Sequence, residues 1–117
     1  LPIRALVVDD EPIARQVIRE ELDELPDVQL IAEAANGTDA LHRIRSLSPD
    51  LVFLDLQMPG MSGFEVIRQL SGGPLPVIVV VTAFDQHAIE AFEAGAIDYL
   101  LKPVGQDRLR VCLERVR

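Results

Sequence analysis

Leu6-Val7-Val8-Asp9-Asp10-Glu11 is the stretch that decides the fold, because a short apolar run ends abruptly in three carboxylates. Three later apolar runs also end in a polar side chain, and these end residues are Asp55, Thr82 and Lys102. If the runs are parallel strands of one sheet, their carboxyl ends lie along one edge, where open α/β sheets bind ligands. We therefore expect the carboxylates, the hydroxyl and the ammonium group to converge there.

The segments between the apolar runs have the period of α-helices, so strands and helices alternate along the chain. Strands are predicted at residues 3–8, 28–34, 51–54, 76–81 and 97–101. A helix is predicted after each strand: from Pro12 to near Pro26, around residues 40–47, from Ser62 to Gly72, from Asp85 to Gly95, and over residues 105–116. Five such units predict an α/β fold with a parallel sheet between two helix layers. We expect a flavodoxin-like (βα)5 three-layer sandwich with strand order 2-1-3-4-5.

Several local signals refine this prediction. Pro12 suits the first position of a helix, where a missing N–H is not needed. Ser62, followed three residues later by Glu65, forms a capping-box pattern. Asp85 is expected to cap the fourth helix. The fourth strand is apolar throughout, which predicts a central strand buried on both faces.

The composition is that of a single globular domain, and residues 1–117 are treated as one domain. The net charge of −8 argues against direct binding of nucleic acid. No apolar run approaches the roughly 20 residues of a membrane span. Cys112 is the only cysteine, so no internal disulfide is expected, and its apolar neighbours place it on a buried helix face. A cytoplasmic location is expected, and the absence of an initial Met indicates a fragment or processed product.

Three acidic residues at two strand ends, Asp9, Asp10 and Asp55, predict a metal site. The first and third strands are neighbours in the expected sheet, so Asp9 and Asp10 should lie beside Asp55. Clustered carboxylates repel one another unless a cation intervenes, and Mg2+ prefers oxygen ligands. A single Asp at a strand end is more simply explained as a turn former. An adjacent pair with a third Asp on the neighbouring strand favours the metal.

The other two strand ends fit a phosphoryl group. Lys102 can reach across the edge as a point charge for a phosphate, and a cis peptide before Pro103 would aim it inward. Thr82 can donate its hydroxyl to a phosphoryl oxygen. Each residue alone has an ordinary explanation, a solvated surface charge for the lysine and a good strand former for the threonine.

The sequence lacks several familiar catalytic patterns. No Gly-rich phosphate loop and no G-x-S-x-G motif occurs. His42 and His87 fall in separate helical segments, away from Cys112, which argues against a zinc cluster. The remaining chemistry is a carboxylate nucleophile that forms an aspartyl-phosphate, with a metal ion and a lysine neutralising the transfer.

Four motifs resemble those of the receiver domains of two-component response regulators, and together they span essentially the whole chain. They are Leu6-Val7-Val8-Asp9-Asp10-Glu11, Leu54-Asp55-Leu56-Gln57-Met58-Pro59-Gly60-Met61-Ser62-Gly63, Val81-Thr82-Ala83 and Asp98-Tyr99-Leu100-Leu101-Lys102-Pro103. Each motif is modest alone, whereas four in this order and spacing are specific. The resemblance implies a signalling switch that is not an enzyme beyond autocatalysed phosphoryl acceptance and dephosphorylation.

The resemblance also implies roles for the acidic residues. Asp55 would accept a phosphoryl group from a phosphohistidine on a sensor histidine kinase. Asp10 and Asp55 would bind Mg2+ directly, Asp9 would bind it through water, and Gln57 would contribute its backbone carbonyl. No other cofactor is implied.

A second group of residues would carry the response. By the same resemblance, Lys102 would pair with the phosphoryl group, and Thr82 and Tyr99 would form a switch pair. Thr82 would move to the phosphoryl group while Tyr99 turns inward. The surface that changes would comprise the fourth helix, the fifth strand and the fifth helix, and it would control an effector or form a homodimer after phosphorylation.

Residues 82–92 resemble the receivers that precede a LytTR-type DNA-binding domain. This resemblance implies a covalent C-terminal effector domain in the full-length protein and a function in transcription regulation. Any contact with DNA would then belong to that effector domain.

Two other functions compete with the switch. A haloacid-dehalogenase-like phosphatase also uses a nucleophilic Asp with Mg2+, but it usually has a second Asp two residues later, where this chain has Gln57. Activity on small phosphomonoesters would favour that enzyme. A constitutive adaptor that does not use phosphorylation usually loses the acidic pair, the Thr or the Lys, all of which are retained here. A partner interaction unchanged in Asp55→Ala would favour the adaptor.

Overall fold

Strands and helices alternate strictly along the chain in the computed structural model, which describes all 117 residues. The strands are β1 (Ile3–Val8), β2 (Val28–Ala34), β3 (Leu51–Leu54), β4 (Val77–Thr82) and β5 (Asp98–Leu101). The helices are α1 (Pro12–Asp23), α2 (Gly37–Leu47), α3 (Gly63–Leu70), α4 (Ala88–Glu93) and α5 (Gln106–Val116). This is the predicted (βα)5 order.

The five strands form one parallel sheet in the order β2-β1-β3-β4-β5. The predicted order 2-1-3-4-5 is therefore confirmed. Val8 pairs with Leu54 across β1 and β3, and Leu54 pairs with Val80 across β3 and β4. Because the strand ends are in register, the residues that follow β1 and β3 leave the sheet at the same level.

Two apolar layers cover the sheet, one on each face. In β4, Ile78 and Val80 contribute to one layer and Val79 and Val81 to the other, and all four side chains are buried. This confirms that β4 is buried on both faces. It is an interior strand, but β3 occupies the centre of the sheet. Cys112 of α5 is fully buried in the second layer, as predicted, and burial raises the pKa of its thiol to about 12.

The start of α3 agrees with the sequence prediction in part, whereas the start of α4 differs from it. The Ser62 hydroxyl accepts a hydrogen bond from the backbone N–H of Glu65 at 3.3 Å, as a capping residue should. The Glu65 carboxylate accepts from Arg68 rather than returning to Ser62, so the capping box is only half formed. The prediction that Asp85 caps the fourth helix is wrong, because α4 begins at Ala88 and His87 occupies the cap position without a side-chain bond.

Small differences from the predicted boundaries have local causes. β4 starts one residue after Pro76, which has no N–H to donate to a neighbouring strand, and it extends to Thr82. β5 starts at Asp98. The peptide bond between Lys102 and Pro103 is cis. None of the helices combines the length and apolarity that crossing a membrane requires.

Candidate functional site

The edge formed by the carboxyl ends of the strands carries an acidic pocket of about 290 Å³. β1 ends just before Asp9 and Asp10, β3 just before Asp55, and β5 just before Lys102. The structure thus brings the predicted residues together at one place. The pocket is lined by Asp10, Glu11, Asp55, Gln57, Thr82, Ala83, Phe84 and Lys102.

Lys102, the only lysine of the chain, lies at the centre of the carboxylates. Its Nζ is 2.7 Å from Oδ2 of Asp9, 3.0 Å from Oε1 of Glu11 and 3.1 Å from Oδ2 of Asp55. Burial alone would lower the pKa of the ammonium group, but its hydrogen bonds to the three carboxylates outweigh burial and raise the pKa. Lys102 is therefore charged at any physiological pH.

Both carboxylate oxygens of Asp9 already have partners. Oδ1 accepts the backbone N–H of Glu11 at 2.9 Å, and Oδ2 contacts the Lys102 ammonium group. The residue is 3% exposed, and this burial is the main cause that raises the pKa of Asp9, with the nearby charge of Asp55 contributing. An Asp held in this way has little freedom to turn towards a further ligand.

Asp55 is equally buried, at 3% exposure, but it borders the open pocket. Its Oδ1 accepts the backbone N–H of Gln57 at 3.1 Å, and its Oδ2 lies beside the Lys102 ammonium group. The carboxylate is thus fixed from both sides with its charge compensated. A fixed carboxylate at the base of a pocket is suited to act as a nucleophile.

The donor set fits a hard divalent cation. Carboxylate oxygens of Asp9, Asp10, Glu11 and Asp55 all lie within 4.8 Å of one another, and oxygen-only sets of this kind suit Mg2+. The Asp10 carboxylate has no hydrogen bond or ion pair within the protein. The backbone carbonyl of Gln57 accepts no backbone hydrogen bond. Asp10 and Gln57 therefore have free oxygens next to the pocket.

The two predicted switch residues both form hydrogen bonds with the backbone of Phe84. Thr82 is fully buried, and its Oγ1 accepts the N–H of Phe84 at 3.4 Å. Tyr99 is half-buried, and its hydroxyl donates to the carbonyl of Phe84. The loop between β4 and α4 is thus held by Thr82 from the pocket side and by Tyr99 from the side of β5. Burial raises the pKa of the Tyr99 hydroxyl, so it remains a donor.

Three further contacts at the pocket were not foreseen from the sequence as site contacts. Glu11 binds Lys102 although its side chain is 65% exposed. The Arg15 guanidinium donates to the backbone carbonyl of Asp9 at 2.6 Å and pairs with Glu33. The only sequence signal for Arg15 was its position in the first turn of α1, the helix that follows the acidic residues 9–11.

Gly63 and His87 are the other two residues that sequence reasoning missed. A Cβ at Gly63 would clash with the backbone carbonyl of Asp55 and crowd Leu56, so only glycine fits at the start of α3. His87 lies 3.3 Å from the side chain of Gln57, Nε2 to Nε2. No spacing in the sequence indicated that the start of α4 would lie against the loop after β3.

An apolar groove adjoins the acidic pocket. It has a volume of about 380 Å³ and lies between α1 and the residues after β5, with Glu11 and Lys102 on the boundary it shares with the pocket. Ile13 at its rim is 75% exposed, which is unusual for so large an apolar side chain next to a charged site. The groove is lined by Glu11, Ile13, Ala14, Val17, Ile18, Val81, Lys102, Pro103 and Val104.

Comparison with known proteins identifies what the chain is similar to. The family model described as the response regulator receiver domain matches residues 5–114. An uncharacterized response regulatory protein of Vibrio vulnificus is 47% identical over 97% of this chain and 47% of its own length. The transcriptional regulatory protein BtsR of Salmonella typhi is 46% identical over 98% of this chain and 48% of its own length. The chain spans about half the length of these curated relatives.

Solved structures give the same result. The REC domain of AraT, a response regulator from Geobacillus stearothermophilus, superimposes with a TM-score of 0.88 at 34% identity, covering 99% of this chain and 93% of that one. The response regulator domain of Thermotoga maritima CheB superimposes with a TM-score of 0.87 at 29% identity, covering 100% and 95%.

Proposed function

Because the chain belongs to the response regulator receiver domain family, we propose that it is a phosphorylation-controlled switch in which Asp55 accepts a phosphoryl group from a sensor histidine kinase. The observation that carries this proposal is the setting of Asp55. Its buried carboxylate is held by Lys102 and by the Gln57 N–H. It borders a pocket that is lined by acidic residues on the side of β1. A nucleophile and its counter-charge are in place before any donor arrives.

The transfer itself requires one bond to form and one to break. An Asp55 carboxylate oxygen attacks phosphorus, the P–N bond of the donor phosphohistidine breaks, and the electron pair returns to the imidazole nitrogen. The Lys102 ammonium group, already 3.1 Å from Asp55, stabilises the negative charge that builds up on the phosphoryl oxygens. The Thr82 hydroxyl, which lines the same pocket from the neighbouring strand, would donate to one of those oxygens.

Asp10, Asp55 and the backbone carbonyl of Gln57 would hold Mg2+, with Asp9 contributing through water. The free carboxylate of Asp10 and the free carbonyl of Gln57 support the direct contacts. The full engagement of both Asp9 oxygens supports an indirect one. When bound, Mg2+ supplies neutralisation of charge on the phosphoryl oxygens.

The kinase would contact the apolar groove next to the pocket. A donor histidine reaches Asp55 only through the open mouth, so the surfaces beside that mouth contact the donor protein. Ile13 is the most exposed apolar residue there. The variant Ile13→Asp should therefore slow transfer from the phosphorylated kinase without slowing transfer from a small phosphoryl donor.

The responding surface is α4, β5 and α5, and we propose that it forms a homodimer after phosphorylation. Ile89 of α4 is 77% exposed, and Phe92, Leu101 and Val111 add further exposed apolar area. α4 and the loop before it carry only acidic charges, at Asp85, Glu90 and Glu93. α5 and the residue after it carry four arginines against two carboxylates, so this part is basic on balance. In a two-fold dimer the acidic part of one copy can face the basic part of the other.

The proposed output is control of transcription through an effector domain outside this chain. BtsR of Salmonella typhi is named as a transcriptional regulatory protein, and this chain covers 48% of its length. That leaves room for a second domain of similar size in a protein built the same way. A LytTR-type domain is the proposed effector on the basis of the resemblance of residues 82–92, and the proposed location of the protein is the cytoplasm.

The proposed function is tested with phosphoramidate, a small donor whose P–N bond imitates that of phosphohistidine. We expect the protein to gain one phosphoryl group in the presence of Mg2+ and to lose it in alkali, as an acyl phosphate does. Light scattering of the same sample should show a dimer. A phosphoryl group that survives alkali, or none at all, would contradict the proposal, and turnover of small phosphomonoesters would favour the phosphatase instead.

A further inference from the structure

The side chain of Gln57, a lining residue of the acidic pocket, contacts His87. Gln57 lines the mouth of the acidic pocket, two residues after Asp55, and its backbone N–H is bonded to the Asp55 carboxylate. Its amide nitrogen, however, lies 3.3 Å from Nε2 of His87 at the start of α4. The amide is therefore engaged across the mouth rather than free inside the pocket.

The His87 ring is well placed to hold the amide. It packs edge-on against the ring of Phe64 in α3, with centroids 6.1 Å apart and an interplanar angle of 76°. Its Nδ1 lies 4.0 Å from a carboxylate oxygen of Glu90. An Nε2 that accepts the Gln57 amide N–H leaves the ring proton on Nδ1, on the side of that carboxylate. Phe64 and Glu90 thus orient the His87 ring from two sides.

We propose that His87 is a positioning residue that restrains the Gln57 amide and so prolongs the lifetime of the phosphoryl group on Asp55. This inference rests on the proposed function and adds a control of how long the signal persists. A free glutamine amide beside a phosphoryl group can orient the water that attacks phosphorus, as glutamines do in enzymes that hydrolyse nucleotide phosphates. The hydrogen bond to His87 prevents the Gln57 amide from orienting the attacking water in this way.

The reaction that the restraint slows is hydrolysis of the aspartyl-phosphate. A water oxygen attacks phosphorus, the bond from phosphorus to the Asp55 oxygen breaks, and the carboxylate leaves with the electron pair. One water is consumed and both of its hydrogens leave with phosphate as H2PO4−. Gln57 and Phe84 are both exposed residues that line the pocket which the attacking water has to enter.

The test compares four single variants and one double variant, His87→Phe with Gln57→Met. Each is loaded with acetyl phosphate and Mg2+, the donor is removed, and phosphate release is measured over time. His87→Phe keeps the ring that packs on Phe64 but removes the nitrogen that binds Gln57. His87→Gln restores a polar acceptor without the ring. Gln57→Met removes the amide at nearly constant shape. His42→Phe, at the exposed histidine of α2, is the matched control.

We expect His87→Phe to release phosphate at least about threefold faster than the wild type, in line with the loss of one hydrogen bond. His87→Gln should return the rate towards the wild type, and His42→Phe should leave it unchanged. In the Gln57→Met background, His87→Phe should have no further effect, because the amide that it frees is gone. A change in folding alone does not produce this pattern.

Three results would overturn the inference. The first is an adduct on Asp55 that decays at the wild-type rate in His87→Phe. The second is an acceleration that persists in Gln57→Met, since His87 would then not act through Gln57. The third is the absence of any adduct in the wild type, which would also overturn the proposed function and is distinguished from the other two by the loading step itself.

Discussion

Lys102 Nζ and Asp55 Oδ2 lie 3.1 Å apart although 47 residues separate them in the chain. The contact joins the end of β5 to the end of β3, which are separated by β4 in the sheet. The lysine therefore reaches across one strand to the acceptor. In the proposed switch, a phosphoryl group on Asp55 would meet this ammonium group, and the pair would then couple chemistry at β3 to movement at β5.

Lys102→Ala is predicted to separate phosphorylation from the response. Asp55 remains in place through its bond to the Gln57 N–H, so some adduct should still form with acetyl phosphate and Mg2+. The dimer should not form, because the ammonium group that links Asp55 to β5 is missing. Mass spectrometry and light scattering on the same sample measure the two effects. A variant that dimerises as fully as the wild type after modification would contradict the coupling role.

Asp10→Asn is predicted to abolish stabilisation of the protein by Mg2+. A ligand that binds only the folded state raises the free energy of unfolding, by about 2.7 kcal/mol at a hundred times its dissociation constant. The variant removes the one carboxylate of the cluster that has no partner within the protein. Urea unfolding with and without Mg2+ measures the difference.

The matched control for the metal is Glu93→Gln, which makes the same charge change at the exposed end of α4. It should respond to Mg2+ as the wild type does. Equal stabilisation of Asp10→Asn and the wild type by Mg2+ would remove Asp10 from the metal site.

Asp98→Asn is predicted to destabilise the fold at neutral pH. Asp98 is buried, and its carboxylate accepts two hydrogen bonds from Arg108 and an ion pair from Arg115. Burial raises the pKa of Asp98, but the hydrogen bonds and charges of the arginines outweigh it and leave the pKa below its usual value. We expect a loss of about 1 to 3 kcal/mol in the free energy of unfolding.

The sign of the pH dependence follows from the lowered pKa. A carboxylate with a depressed folded pKa stabilises the protein above its unfolded pKa of about 3.9, and this stability is lost as pH falls through the folded value. The gap between wild type and Asp98→Asn should therefore close on acidification below about pH 4. Asp27→Asn, at an exposed ion pair with Arg117, should show a much smaller gap. A gap that stays constant down to low pH would show that Asp98 acts through packing instead.

Gly63→Ala is predicted to destabilise the protein and distort the acceptor loop. The added Cβ would clash with the Asp55 carbonyl and crowd Leu56, so the loop after β3 has to shift. Overpacking of this kind costs about 1 to 3 kcal/mol. Gly73→Ala is the control, because a Cβ there would meet no atom closer than 4.0 Å. Equal unfolding midpoints for the two variants in urea would contradict the close approach.

The strands were predictable because their signals are local, and their order was predictable from the alternation of five strands and helices. An apolar run such as that of β4 is long enough for a buried strand, and a Pro or Gly beside it marks the boundary. The failure at Asp85 has a physical cause as well. The loop after β4 is shaped by the bonds of Phe84 to Thr82 and Tyr99, which no local capping pattern reports.

The convergence of the pocket residues was predictable because the carboxyl ends of parallel strands lie at one edge, independently of side-chain conformation. The contacts that orient them were not. Arg15 reaches the Asp9 carbonyl from α1, and His87 reaches Gln57 from the cap position before α4. Both contacts depend on how the helices pack on the sheet. Such contacts join residues with no fixed spacing in the sequence.

The most direct test of the switch is intact-mass spectrometry after incubation with acetyl phosphate, with and without Mg2+. It compares the wild type with Asp55→Asn, which keeps the shape of the buried side chain but not its charge. The expected result is one phosphoryl adduct on the wild type that requires Mg2+, and none on Asp55→Asn, whose circular dichroism spectrum should match that of the wild type. An unmodified wild type, or an adduct of equal yield on Asp55→Asn, would contradict phosphoryl acceptance by Asp55.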